Sequence, residues 1–148
     1  MNQANLWQVI DSISRQHPFA KEKIESILSV RLEKEKVESN DRWDFFVGRN
    51  VSLADGIIIS TVNFYFKKSD PSFAEIGLND IKGGCITVEQ VRDRYNSVKI
   101  LGSPRGESPQ EQWHYSIKTT WGNLIFGFSD GKTGPECLAS VGFDAGKR

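Results

Sequence analysis

The chain has 148 residues, of which 38% are hydrophobic, enough apolar material for one folded domain with a buried core. Its 19 basic residues are balanced by 19 acidic residues, so it lacks the basic excess that nucleic-acid-binding proteins use. Its apolar runs are far shorter than the roughly 20 residues of a membrane-spanning helix. Neither nucleic acid nor a membrane is therefore expected as a partner. The segment that begins at Met1 does not resemble a signal peptide, which makes the cytoplasm the expected location.

The first thirty residues predict a hairpin of two helices. Apolar residues recur at helical spacing over residues 3–15, which predicts an amphipathic helix there. A second helix is expected to start at Pro18, because the missing N–H of a proline would be unpaired in a first turn anyway. It is expected to end near Ser29. The apolar residues of the first helix are Leu6, Val9, Ile10 and Ile13.

From Val30 onwards the apolar residues alternate with polar ones, which predicts strands. Asp55-Gly56 is a strong turn signal between two of them. The segment after this turn is apolar on both faces, as is typical of a central strand. The strands predicted in this half are Val30–Leu32, Trp43–Val47, Ile57–Phe66 and Ala74–Leu78.

The second half begins with a short helix, predicted over residues 88–95. Thr87 and Gln90 fit a capping box, in which each side chain bonds a free N–H group of the other residue's backbone. Further alternating segments follow, two of them separated by a turn at Gly122-Asn123. The strands predicted here are Val98–Leu101, Trp113–Trp121, Leu124–Phe128 and Cys137–Phe143.

This order of elements predicts an α+β fold. We expect an N-terminal helical hairpin, an antiparallel meander sheet, a short mid-chain helix and a C-terminal antiparallel meander, since short turns join antiparallel strands. We expect one domain over residues 1–148. The halves 1–80 and 81–148 each place helix before meander, so a cryptic repeat is also predicted.

The chain contains two cysteines, Cys85 and Cys137, far apart in sequence. Free cysteine is among the most buried residue types, which favours two buried thiols in a reducing compartment. The alternative is a single structural bridge between them. A disulfide framework of several bridges would need more cysteines.

The sequence signals no catalytic residue, metal site or cofactor. A nucleophilic triad needs a histidine beside a Ser or Cys, yet both histidines have ordinary structural interpretations. His17 precedes a proline, and His114 lies mid-strand, where a pairing with Cys137 has no local support. Zinc, calcium and phosphate-loop motifs are missing, so we expect no enzyme.

The segment 103–121 holds the candidate residues for binding a protein partner. Arginine, tryptophan and tyrosine are the residue types most enriched at interface hot spots. The alternative is that the strand aromatics fill the core, which we favour for Trp113 and Trp121. For the loop charges, partner contact and plain solvation are both open. The predicted contact residues are Arg105, Glu107, Trp113, His114 and Tyr115.

Several segments together resemble the small cytosolic proteins found beside bacterial polymorphic toxins. The helix-then-meander order is also similar to the BamE-like fold and to the tandem repeats of the beta-lactamase inhibitory protein. Both similarities imply a protein-binding scaffold, at the level of fold only. The segments that resemble the toxin-associated proteins are Trp43–Val47, Asp55-Gly56, Cys85–Val91, Pro104-Arg105-Gly106, Trp121–Phe128 and Cys137-Leu138.

The resemblance implies an immunity protein, a stoichiometric inhibitor that binds and neutralises the cognate toxin domain. Such an inhibitor needs a specific interface and no catalytic residues. Two alternatives stay open: a small ligand-binding or enzymatic α+β domain, and an adaptor of a secretion or envelope assembly.

Overall fold

A computed structural model describes residues 4–37 and 39–146 of the chain. The first helix, α1, spans Leu6–Ser14, and its apolar stripe is buried as the spacing predicts. Asn5 accepts a hydrogen bond from the backbone of Gln8, whose side chain bonds back to the Asn5 N–H. This reciprocal capping explains why the helix begins where it does.

The second helix, α2, spans Lys21–Leu28 and starts later than predicted. Pro18 lies ahead of the helix, in a connector whose His17–Pro18 peptide bond is cis. The placement of Pro18 in the first turn is therefore wrong, because Ala20 still has extended backbone angles and is the N-cap. The helix ends at Ser29, which adopts the left-handed conformation common at helix C-termini. The two helices contact each other as a hairpin.

Eight strands and a third helix follow among the described residues. The helix, α3, spans Val88–Arg94 and is capped by the predicted box of Thr87 and Gln90. The strands are β1 Glu33–Lys34, β2 Trp43–Ser52, β3 Ile58–Lys67, β4 Asp70–Lys82, β5 Lys99–Gly102, β6 Gln112–Lys118, β7 Gly122–Gly131 and β8 Gly134–Ala145.

All eight strands form one antiparallel sheet in the order β1-β2-β3-β4-β8-β7-β6-β5. Each half of the sheet is a meander drawn from one half of the chain. The two meanders join where β4 pairs with β8, with Gly77 directly opposite Gly142. The predicted α+β class with antiparallel meanders is confirmed.

The helices pack against one face of this sheet and enclose the core. Directly paired residues of neighbouring strands lie on the same face, and one such row runs across the sheet behind the helices. Phe19, just ahead of α2, meets Phe143 of β8 edge to face, and Trp7 of α1 lies 6.5 Å from the Phe126 ring. The buried row comprises Phe64, Ile76, Phe143, Leu124 and Ile117.

The apolar run in β3 has a different cause from the one predicted. Val62 and Phe64 are buried, as alternation requires, but so is Ile59, which has the opposite parity. The ladder is interrupted between them, where Asn50 and Asp80 on the flanking strands adopt positive φ. The buried side chains therefore change from odd-numbered to even-numbered positions along β3. Each part of the strand buries one face, so the apolar run does not indicate burial on both faces.

The cysteines form a disulfide bond, with an S–S distance of 2.03 Å. Cys85 is exposed and Cys137 is half-buried, so the interpretation as two buried thiols is wrong and the bridge alternative is correct. The connector from β4 to α3 lies against the start of β8, where the Leu138 N–H bonds the Ile86 carbonyl at 2.8 Å. A register shift in β8 turns Leu138 into the core, so simple alternation failed for Cys137.

No helix in the described parts of the chain has the length and apolar character needed to cross a membrane.

Candidate protein-binding surface

The structure separates the five predicted contact residues. Arg105 and Glu107 are exposed on the loop between β5 and β6, as predicted. The other three lie on β6 and alternate between its faces. Trp113 and Tyr115 point to the helix side, whereas His114 lies on the opposite face.

Tyr115 is buried in the core and is removed from the candidate contacts. Its side chain is 4% exposed, its ring meets Phe128 edge to face at 5.6 Å, and the Arg92 guanidinium lies 5.7 Å from its centroid. Trp113 is half-buried, packs against the core and donates from Nε1 to Asp130 at 2.9 Å. Both rings therefore have structural roles, which agrees with the core interpretation that we favoured for Trp113.

The face of the sheet opposite the helices, termed here the open face, carries half-buried side chains across the inner strands. Three transverse rows follow from the strand register. The first contains Phe45, Tyr65, Glu75, Asp144 and Asn123; the second contains Val47, Asn63, Gly77, Gly142, Ile125 and Ser116; the third contains Arg49, Thr61, Asn79, Ser140, Gly127 and His114.

A trough of about 540 Å³ runs along the middle of the open face. Its floor is low where Gly77 and Gly142 pair, because neither residue carries a side chain. A second hollow of about 440 Å³ continues it towards the β5–β6 loop. Asn79, Ser140 and His114 line both, so the two hollows form one continuous depression.

Hydrogen bonds between side chains hold the polar floor of this depression. The Asn79 amide donates to Asn63 at 3.1 Å, and the Ser140 hydroxyl donates to Gln112 at 2.7 Å. The second bond passes directly over Gly127, where a Cβ atom would overlap the Gln112 oxygen. A side chain at position 127 would therefore displace Gln112 from this bond, and glycine lets the floor present hydrogen-bonded amide and hydroxyl groups.

An aromatic cluster lies at the β2–β3 end of the open face. The Phe45 and Tyr65 rings stack at 4.7 Å between centroids, and Trp43 meets Tyr65 edge to face at 5.6 Å. All three rings are half-buried. Two rows further along the same face of β2, the exposed Arg49 pairs with Thr61. The sheet therefore displays the residue types that dominate interface hot spots.

Sequence reasoning missed this cluster, because the alternation of Trp43, Phe45 and Val47 resembled a core-facing pattern. The core face of β2 instead carries Phe46 and Gly48. A Cβ atom on Gly48 would lie 3.0 Å from the Leu32 side chain, so the chain ahead of β1 covers this position. The consecutive aromatics Phe45 and Phe46 were the available signal that both faces carry rings.

The remaining chemistry of the site is limited. Within residues 4–37 and 39–146, no three His, Cys, Asp or Glu side chains are grouped to hold a metal ion. Cys137 is bonded to Cys85, so it has no thiol to pair with His114. Comparison with family models, with curated proteins and with solved structures found no match to this chain.

Proposed function

We propose that this protein is a stoichiometric inhibitor of the immunity type, which binds a cognate bacterial toxin domain through its open face. The observation that carries the proposal is the aromatic cluster of Trp43, Phe45 and Tyr65 beside the trough, whose floor carries hydrogen-bonded amide and hydroxyl groups. Rings of this kind supply large contact area at low entropic cost, and fixed polar groups supply specificity.

The dimensions of the open face suit a protein partner. Six inner strands at a spacing of about 4.8 Å, with a mean length of about 33 Å, present roughly 950 Å². Stable protein complexes bury about 800 Å² on each partner. The inner sheet alone therefore matches the size of a specific interface.

The net charge of the chain bears on which class of toxin it binds. Inhibitors of nucleases commonly imitate phosphate and are acidic, whereas this chain has equal numbers of acidic and basic residues. A toxin that acts on a protein or a small molecule is at least as good a partner as a nuclease.

A second candidate function is binding of a small molecule, which the trough volume favours. Its 540 Å³ falls within the roughly 300–1,000 Å³ of ligand pockets. The trough combines polar groups with Tyr65, Leu101 and Ile125, but it is a shallow depression open to solvent, whereas ligand pockets are clefts that enclose most of their ligand. The protein partner is therefore the better proposal.

The proposal also concerns the compartment in which the protein meets its toxin. An immunity protein that meets its toxin in the cytoplasm works in a reducing compartment, where disulfide bonds are rare. The Cys85–Cys137 bond favours an oxidising compartment instead. The fraction of the two cysteines that react with a thiol reagent in freshly lysed cells distinguishes the two locations.

The test begins with the gene beside this one. We expect it to encode a large protein with a C-terminal toxin domain, and an inactive variant of that domain should bind this chain in calorimetric titration. Trp43→Ala should weaken the affinity by about 30-fold or more, since a central interface tryptophan contributes about 2 kcal/mol.

Trp7→Ala is the matched control, because Trp7 is equally half-buried but lies on the helix side, under Arg94 at 4.7 Å. We expect it to keep the affinity while losing some stability. Equal affinity for Trp43→Ala and wild type would place the interface elsewhere. A metabolic gene in the neighbouring position would contradict the immunity function.

A further inference from the structure

The loop between β5 and β6, residues 103–111, has a composition typical of a mobile surface segment. It contains Pro104, Gly106 and Pro109, and its residues are mostly exposed. The structure nevertheless gives it an internal anchor at Glu111. Oε1 of Glu111 accepts backbone hydrogen bonds from Glu107 at 2.9 Å, Arg105 at 3.2 Å and Ser108 at 3.3 Å.

The three N–H groups converge because the loop backbone curls around the carboxylate. Gly106 adopts a φ of +80°, a conformation that side chains disfavour and that helps successive N–H groups to face one point. A carboxylate in such a concavity receives charge-assisted hydrogen bonds, which are stronger than neutral ones. The loop is thus closed on its own final residue.

The anchor is itself attached to the sheet. Glu111 directly precedes Gln112, the first residue of β6, and Gln112 accepts the hydrogen bond from Ser140 of β8. The hollow at this end of the trough is lined by Glu111, Gln112 and Ser140 together. The loop is therefore held at a fixed position beside the polar floor.

We propose that Glu111 is a positioning residue that locks the 103–111 loop in one conformation and so presents Arg105 and Glu107, preformed, at the end of the trough to the toxin domain. The inference rests on the proposed function. A loop that is ordered before binding pays less conformational entropy on binding, which raises affinity without any new contact.

The three backbone hydrogen bonds to Glu111, termed here the clamp, depend on pH. The hydrogen bonds from Glu107, Arg105 and Ser108 lower the pKa of Glu111, with Glu107 contributing most. A lowered pKa in the folded state means that the stabilisation is present above the ordinary pKa and is lost as pH falls through the lowered one. Arg105 and Glu107 are the charged groups of the loop, and His114 is the titratable group that lines the same hollow.

The first experiment measures the clamp in the free protein. Amide exchange of Arg105, Glu107 and Ser108 should be about tenfold faster in Glu111→Ala, because each of these N–H groups loses a charge-assisted acceptor. Glu111→Gln, which keeps an acceptor oxygen without the charge, should give an intermediate rate. Glu136→Gln, near the start of β8, is the control and should change none of these rates. Equal rates in Glu111→Ala and wild type would overturn the clamp.

The second experiment uses the inactive toxin domain encoded beside this gene. Glu111→Ala should bind it about tenfold more weakly, although both candidate contact side chains are retained, and melting should stay nearly unchanged. The affinity should also fall more steeply in wild type than in Glu111→Gln as pH is lowered through the Glu111 pKa, since the variant retains the Glu107 carboxylate but has no ionisable group at position 111. Unchanged affinity in Glu111→Ala would overturn the presentation of the loop. A toxin domain that fails to bind wild type would instead refute the proposed function, with the exchange results left intact.

Discussion

The carboxylate of Asp55 accepts a hydrogen bond from the backbone N–H of Leu6 at 3.1 Å, across 49 positions of sequence. Its second oxygen accepts from the Ile57 N–H at 3.2 Å, which shapes the turn ahead of β3. One side chain therefore satisfies a free N–H in the first turn of α1 and places a negative charge at the positive end of that helix. The predicted Asp55-Gly56 turn is confirmed, but it also docks the first helix on the sheet.

Replacing Asp55 by alanine should therefore destabilise the protein by about 1–2 kcal/mol, the usual effect of losing a helix N-terminal cap. Chemical denaturation measures this change. Asp41→Ala, at an exposed position ahead of β2, is the control and should change stability by less than about 0.5 kcal/mol. A similar loss in both variants would mean that the bond to Leu6 contributes nothing.

Phe126→Ala should destabilise the fold by about 3–5 kcal/mol, the usual effect of emptying a large aromatic site in a core. Phe126 is fully buried and lies between Trp7 of α1 and Tyr95 beyond α3, at 6.5 Å and 5.8 Å between ring centroids. The matched variant is Phe45→Ala on the open face, where the ring is half-buried and about 1 kcal/mol is expected. Urea unfolding measures both losses of stability. A larger loss for Phe45→Ala than for Phe126→Ala would show that the two faces of the sheet are assigned wrongly.

Reducing the Cys85–Cys137 bond should lower stability by about 4 kcal/mol, because it closes a loop of 52 residues in the unfolded chain. This loop contains α3 and the strands from β5 to β7. The variant with both cysteines replaced by serine should unfold at the same denaturant concentration as the reduced wild type. If reduced and oxidised proteins unfold together, the bond does not constrain the chain.

The β5–β6 loop should affect binding and leave stability almost unchanged. Arg105→Ala and Glu107→Ala are expected to keep the melting temperature, since both side chains are exposed, and to weaken toxin binding by about 1–3 kcal/mol each. Trp113→Ala should show the opposite pattern, because its ring packs on the core and bonds Asp130. Calorimetry and thermal melts on the three variants separate the two patterns. Full affinity in both loop variants would restrict the interface to the strands.

Tyr95 should titrate above the ordinary tyrosine value of about 10. Burial raises the pKa of its phenol most, and the Asp11 carboxylate raises it further, while Arg94 acts in the opposite direction. The neutral phenol therefore stabilises the fold below pH 10 or so, and this contribution is lost as pH rises through the raised pKa. Phenolate absorbance, assigned with Tyr95→Phe, measures the shift. Asp11→Asn should lower this pKa, and an unchanged value would exclude Asp11 as a cause.

Local features of the chain predicted the elements well. Helical spacing in α1, the Thr87–Gln90 capping box and the Asp55-Gly56 turn each depend on residues within a few positions of one another. Backbone propensity and capping act over that range, so the sequence contains the whole signal. The exposure of the loop that carries Arg105 was predictable for the same reason.

The open face and the disulfide required the tertiary structure. Alternation shows that Trp43 and Phe45 share a side of β2, but which side is buried depends on the chain near Leu32, which covers Gly48. Likewise, the Cys85–Cys137 bond requires the β4–α3 connector to lie along β8, and that placement follows from the pairing of β4 with β8. A period of two identifies the two faces of a strand without saying which one meets the core, and contacts between distant segments make that decision.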